Sequence, residues 1–486
     1  MFFLTTFITI ILSLVSLMVA VAVFGSIRNK TKYPIVIDFL AFASAVNIFL
    51  WHSMPAILRL SSYGQHEVSD RIDHFEILTV YTIEFISFIL FFIPFLIIFR
   101  VKKINLLYFR KSSILQIISD NRSYVYNNYS SYFLQSIRPH SLFILILTFI
   151  GLYFQFQRHF IGQDPSLFPA LDWLLVPIVY KSALFLVIHS VFTLEFSNNK
   201  ILKAYFVLIL IIFLIGDIAQ GSHGSIFAPV LYFIFYNIFH NLSRPVIYLS
   251  IILILFLSLF YEEMHQVRAY NNMANVESMG VVEKLTSITS DDGLSDTHTP
   301  GNNFLDKIEW RFGENSRMSV GYLRMYDRGY TAGLNPLENS LYFLPRNFYP
   351  QKPIPGSIDG TELGLGMRLM NREIRGTLWN MSGFFTGVHS YWELGIFGVF
   401  IISLFVGLYS SLLTLYCGNF YYLGLPLIII MHDTWWWATP KLWSYEVIIQ
   451  LFNLFIPFLF IWFFFKFTYK FFALFRFYLI SHQNIK

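Results

Sequence analysis

Charge is what this sequence has least of. Only 13% of its 486 residues are Asp, Glu, Lys or Arg, about half the share usual in a soluble domain. Hydrophobic residues make up 56% and aromatic residues 19%. A water-soluble core is excluded as the organising feature of such a chain. Cysteine is nearly absent: the one residue, Cys417, sits in an apolar stretch, which excludes an intrachain disulfide and a cysteine-built metal site. Also missing are a Gly-rich phosphate loop, zinc-type His and Cys spacing, a serine-nucleophile elbow and a paired-aspartate segment for a metal-bound nucleotide sugar. Nucleotide-sugar transfer is disfavoured on that ground, and no metal or other cofactor is expected. No internal repeat is evident. The formal net charge of +5 is spread through short connections, so it reads as topology information and not as nucleic-acid binding.

What the sequence has is length in apolar runs. Stretches long enough to cross about 30 Å of hydrocarbon as helix recur along the chain. The expected spans are residues 2–24, 35–58, 77–99, 141–156, 171–194, 201–215, 225–240, 245–260, 390–412, 421–431 and 443–467. The fold class is therefore all-α, a polytopic membrane protein of about 11 transmembrane helices. The first run lacks a basic leader and exceeds a signal-peptide core, so it is expected to be a retained helix. The loop with Arg28, Lys30 and Lys32 and the loop with Arg100, Lys102, Lys103, Arg110, Lys111, Arg122 and Arg138 are the most basic short connections. Both are expected in the cytoplasm, which puts the N-terminus outside and the C-terminus inside. Three regions follow: residues 1–260 with helices 1 to 8, a large polar loop over 261–382 on the extracytoplasmic side, and residues 383–486 with helices 9 to 11 and a cytoplasmic tail. Loops of that length usually serve as lids or binding elements. Residues 271–303 read as mobile, whereas 306–326 and 364–379 read as helices.

The loop concentrates cations. In EWRFGENSRMSVGYLRMYDRGY, Arg311 precedes Arg317, Arg324 and Arg328, whose spacings of seven and four share one helical face. In GLGMRLMNREIRGTLW, Arg368, Arg372 and Arg375 form a second stripe. Guanidinium groups bind diphosphate oxygens in bidentate fashion and stay charged in a partly dry site. The competing reading is a solvated face with local ion pairs to Glu314, Asp327 and Glu373. The segment LPRNFYPQKP presents Arg346 and Lys352 around Phe348 and Tyr349, braced by Pro345, Pro350 and Pro353. It suits phosphate and sugar contact or, equally, a rigid brace.

In GVHSYWELGIFGVF, His389 and Glu393 lie four apart at the mouth of a span. A histidine oriented by a carboxylate can take a proton from a sugar hydroxyl, or the pair can anchor the loop through an arginine. GDIAQGSHGS places Asp217 and His223 among small residues at a helix entry, where exposed amides favour anions. Arg158 and His159 flank an outer span end and fit interfacial snorkelling, whereas Lys181, within an expected span, fits snorkelling or equally a lipid phosphate, a carboxylate or a water-filled cleft. The tryptophan cluster beside His432 and Asp433 fits an interfacial aromatic belt ahead of sugar stacking.

At LPRNFYPQKP, with EWRFGENSRM before it and GVHSYWELGIFGVFIISLFVGL after it, the sequence resembles the O-antigen or oligosaccharide repeat-unit polymerase family (Wzy-type). That family carries a proline-arginine and lysine-proline segment late in its large periplasmic loop. GSHGSIFAPVLYFIF is similar to its small-polar helix entry, with His223 where arginine is common. The resemblance implies an inner-membrane glycosyltransferase of the C-type architecture, acting in polysaccharide or lipopolysaccharide biosynthesis without metal. It would move a growing glycan from undecaprenyl diphosphate onto the non-reducing end of an incoming undecaprenyl-diphosphate-linked repeat unit. Membrane lipid, a chain-length regulator and a flippase are the partners expected, and nucleic acid is not. His389, Glu393, Arg324 and Arg346 are the expected catalytic groups. Arg311, Arg317, Arg328, Lys352, Arg368, Arg372, Arg375, His223 and Tyr349 are the expected diphosphate and sugar contacts. The alternatives are an O-antigen-ligase-like transferase, which delivers the glycan elsewhere, and a glycolipid flippase or transporter.

Overall fold

The computed structural model describes residues 2–60, 72–104, 313–329 and 385–419, all of them within one compact unit. The spans expected between 141 and 260 and beyond 420 lie outside the described residues, as does most of the loop over 261–382.

Every element among the described residues is helical. Four helices are long and apolar enough to cross a membrane: Phe2–Arg28, Val36–Leu58, His74–Ile98 and Leu394–Asn419. They correspond to the first, second, third and ninth expected spans. The protein is membrane-embedded, and its first helix, α1 (Phe2–Arg28), shows how. Its buried side chains include Thr5, Thr6, Thr9, Ser13, Ser16 and Ala20, whereas Phe3, Leu4, Phe7, Ile11, Leu14, Val15 and Met18 face outward. Water would reverse that distribution. In lipid, close backbone approach through small residues holds helices together. The hydroxyls are satisfied within the helix, Thr9 donating to Thr6 O at 2.7 Å and Ser16 to Leu12 O at 2.9 Å.

Helix α2 (Pro34–Ile48) starts with proline in its first turn, where a missing N–H costs nothing. It runs through a π-turn (Phe49–Ser53) into α3 (Met54–Leu58). The sequence shows why the ladder widens there: Pro55 follows directly, removing one donor and crowding the preceding turn. A single regular span was expected over this stretch.

Helix α4 (His74–Ile98) opens on a capping box, Asp73 accepting from Phe75 N–H at 3.1 Å and Glu76 from Asp73 N–H at 2.9 Å. It is the central post, packing against α1, α5 (Glu314–Asp327) and α6 (Thr386–Asn419). Its lower half meets α1 through Phe24, Phe92 and Phe95.

The bundle has two distinct ends. At one, Arg28 pairs with buried Asp38 at 2.9 Å. The Lys30 ammonium donates to Phe99 O at 2.8 Å and to Arg100 O, placing a cation on the carbonyl end of α4. Tyr33 N–H donates to Gly418 O and Lys32 N–H to Asn419 Oδ1, each at 2.8 Å. The α1–α2 connection thereby ties the C-terminal ends of α4 and α6 together. The opposite end holds Phe2, Arg59, Asp73, the start of α6 and α5.

Candidate functional site

Helix α5 lies within the stretch expected to form the large loop, and it folds because one face is apolar. Val320, Tyr322, Leu323 and Met325 are buried in a cluster with Ile77, Val80 and Tyr81 of α4 and Phe385, Val388 and Trp392 of the α6 entry. Gly329 at φ 82 ends the helix, in the left-handed conformation that a C-terminal glycine accepts without strain.

Polar ties fix α5 in place. Arg324 donates through Nε to Glu76 Oε1 at 2.6 Å and through Nη2 to Oε2 at 2.7 Å. A bidentate, charge-assisted pair of this kind is directional as well as strong. Arg59, one residue past α3, donates to Ser316 Oγ at 2.8 Å. Ser319 Oγ accepts from Phe385 N–H at 2.8 Å. Tyr322 meets Trp392 edge-on at 4.9 Å, and Tyr326 lies 4.6 Å from Tyr391.

Helix α6 is broken. Leu394 (φ −133, ψ 19) and Gly395 (φ 63, ψ −149) leave helical geometry, and the conformation at Gly395 is open essentially to glycine alone. Residues 386–393 therefore form a separate segment of about two turns ahead of the membrane span. His389 and Glu393 lie about one turn apart on it, although their side chains are outside the described atoms. Tyr391 belongs to the same segment. Burial first, then Tyr326 and Asp327, pushes its phenol up from the ordinary value of 10.0. It is thus a protonated hydroxyl at neutral pH and no base. A Cβ on Gly395 would meet the Tyr326 hydroxyl at 2.7 Å. Gly395→Ala is expected to destabilise the protein by about 1–3 kcal/mol, read as a lower melting temperature in detergent. Adding Tyr326→Phe should recover only part of the loss, because the oxygen contact goes and the backbone strain stays.

Of the first arginine stripe, Arg317 is buried, Arg324 is paired with Glu76 and Arg328 is exposed just past the helix end. Three arginines on one face thus meet three environments. Arg311, Arg346, Tyr349, Lys352, Arg368, Arg372, Arg375 and His223 lie outside the described residues.

Two buried ionisable groups in contact with the start of α6 were not among the expected site residues. Glu84, 2% exposed in the middle of α4, accepts from Gly387 N–H at 2.7 Å. His52, 2% exposed in the π-turn, stacks on Phe385 at 4.3 Å, and its carbonyl accepts from the Tyr81 hydroxyl at 3.0 Å. The signal was available: each is an isolated titratable residue in an apolar run, which marks a functional or organising position inside a membrane. Glu84 meets Gly387 and His52 meets Phe385, so both act at the start of α6.

No protein-family model, curated protein or solved structure matches this chain.

Proposed function

We propose that this protein is a polysaccharide polymerase of the inner membrane, a glycosyltransferase that lengthens glycans carried on undecaprenyl diphosphate. The observation that carries the proposal is the docking of α5, an arginine-bearing helix of the large loop, against the segment that bears His389 and Glu393. The docked pair lies at the bundle end opposite the basic connections of Arg28, Lys30, Lys32, Arg100, Lys102 and Lys103. By the positive-inside rule those connections are cytoplasmic, so the α5 end is extracytoplasmic. There a lipid-linked donor and acceptor lie within reach from the membrane surface.

In this reading the loop arginines meet the charge that develops on the departing diphosphate. Arg311, Arg317, Arg328, Arg346, Lys352, Arg368, Arg372 and Arg375 supply the cations. His389, with Glu393, takes the proton of the attacking sugar hydroxyl, and Tyr349 and His223 are assigned to sugar and diphosphate recognition. The glycosidic bond to the donor diphosphate breaks as the bond to the acceptor oxygen forms, releasing undecaprenyl diphosphate. A diphosphate leaves readily once its charge is met, so positioning and fixed cations supply most of the catalysis.

The test is direct. Purified protein in nanodiscs is incubated with lipid-linked oligosaccharides extracted from the source cells, with EDTA present. The expected result is a ladder of longer glycans still attached to undecaprenyl diphosphate, together with free undecaprenyl diphosphate. Products on another acceptor indicate the ligase-like alternative. A broken helix beside a buried carboxylate is also a transporter device. Movement of the lipid across proteoliposomes without lengthening would establish that second reading in place of the first.

A further inference from the structure

Helix α6 has no capping side chain at its N-cap position. The residue before the helix is Phe385, which has no side-chain acceptor, and the first turn is Thr386, Gly387, Val388 and His389. The early amides of a helix are orphaned unless something accepts from them. Here the acceptors come from other helices, Ser319 of α5 for Phe385 N–H and Glu84 of α4 for Gly387 N–H. The approach is close: a Cβ on Gly387 would meet Ser87 Cβ at 2.7 Å and Ile83 O at 2.9 Å.

We infer that Glu84 is a positioning residue, a carboxylate supplied from α4 that sets where the two-turn segment 386–393 sits. The reason is the break at Leu394 and Gly395. In a continuous helix the packing of the membrane span would fix its first turns, and Glu84 would add little. With the ladder interrupted, the segment is held by what touches it. Among the described residues those contacts include Glu84 at Gly387, Ser319 and His52 at Phe385, and Tyr322 and Tyr326 at Trp392 and Tyr391. Of these, Glu84 supplies the acceptor for an amide in the first turn of the segment, the held amide closest in sequence to His389. A carboxylate inside an apolar helix costs several kcal/mol unless it is partnered, so a role limited to packing would be served better by leucine. Two residues beyond Gly387 stands His389.

The catalytic consequence rests on the reading of His389 and Glu393 as the proton-accepting pair. A shift of the segment by about 1 Å costs on the order of 100-fold in turnover without weakening substrate binding. Glu84→Ala is therefore expected to lower kcat for elongation about 100-fold with KM nearly unchanged. Glu84→Gln, which keeps an oxygen acceptor for Gly387 N–H, should restore most of it. A second measurement needs no activity. Cys417 is fully buried, so a membrane-impermeant maleimide reports a cysteine introduced as His389→Cys. Its labelling rate should change in the Glu84→Ala background and stay at the parent rate with Glu84→Gln. Equal labelling rates in all three backgrounds, in protein that elutes as folded, would overturn the positioning role. So would a Gln variant as impaired as the Ala variant. Wild-type protein that fails to lengthen glycans while labelling shifts as expected overturns the polymerase reading and leaves the positioning role standing.

Discussion

Gly407→Ala is expected to destabilise the protein by at least about 3 kcal/mol, at the upper end of the cost of overfilling a packed interface. A Cβ at Gly407 would lie 2.2 Å from Phe91 O, 2.9 Å from Phe91 C and 3.0 Å from Phe91 Cα. All three atoms are backbone, so no rotamer change relieves the overlap. The carbonyl belongs to the ladder of α4 and cannot turn aside without breaking it. The helices must separate instead, and dispersion contacts fall off steeply with gap width along the whole crossing. One turn nearer the α6 start, the Ser87 and Ser403 hydroxyls share a buried hydrogen bond of 2.7 Å, which the same separation would break. The loss is a large fraction of the 5–15 kcal/mol typical of folded proteins. Thermal challenge in detergent followed by size-exclusion chromatography measures it. Leu408→Ala, next in sequence on an outward face (Leu408 is 44% exposed), should melt within about 1 kcal/mol of wild type. If Gly407→Ala melts alongside wild type, the close crossing of α4 and α6 is wrong.

The α6 side of that crossing carries a sequence signal that the expected spans did not draw on. Ser403 and Gly407 stand four apart in IISLFVGL, the small-xxx-small spacing through which membrane helices approach closely. The apolar runs were readable, because length and hydropathy are local properties and the bilayer imposes helices on them. Helix α5 was legible from its periodicity as part of the stretch 306–326, with the described helix starting at Glu314. The break in α6 was not. A glycine among apolar residues is common in membrane helices, and only the backbone angles of the folded chain show that Gly395 breaks the helix and is not merely small. The π-turn before Pro55 lay between these cases, since the proline announces a fault in the ladder without saying how it is absorbed.

The site was less legible than the scaffold, for a reason that Arg324 illustrates. Spacing puts a guanidinium on a helical face, but its partner is Glu76, 248 residues earlier in the chain. Glu76 is itself conspicuous only as the third residue of a capping box. Glu84 has the same character: its partner is a backbone N–H 303 residues away. Sequence shows which residues carry charge. Which of those charges are already met is a tertiary fact.

Arg324 and the remaining loop arginines should therefore respond differently to charge rearrangement. Arg324→Ala and Glu76→Ala each remove a tie between α5 and α4, and each is expected to lower elongation about 10- to 100-fold by loosening α5. Joining Arg324→Glu to Glu76→Arg should recover most of that activity, with a coupling energy on the order of 1–3 kcal/mol in the double-mutant cycle. Recovery will be incomplete, for two reasons. Glu76 also accepts from Asp73 N–H, and arginine at the first turn of α4 faces the positive end of the helix. Arg346→Ala and Arg372→Ala remove charge proposed to meet the diphosphate itself. They should cost about 100- to 1,000-fold in kcat. Elongation by each variant in nanodiscs, normalised to folded protein, makes the comparison. A charge swap as inactive as Arg324→Ala would move Arg324 from the docking of α5 to the diphosphate. Unchanged product length in both Arg346→Ala and Arg372→Ala would remove the arginines from the mechanism.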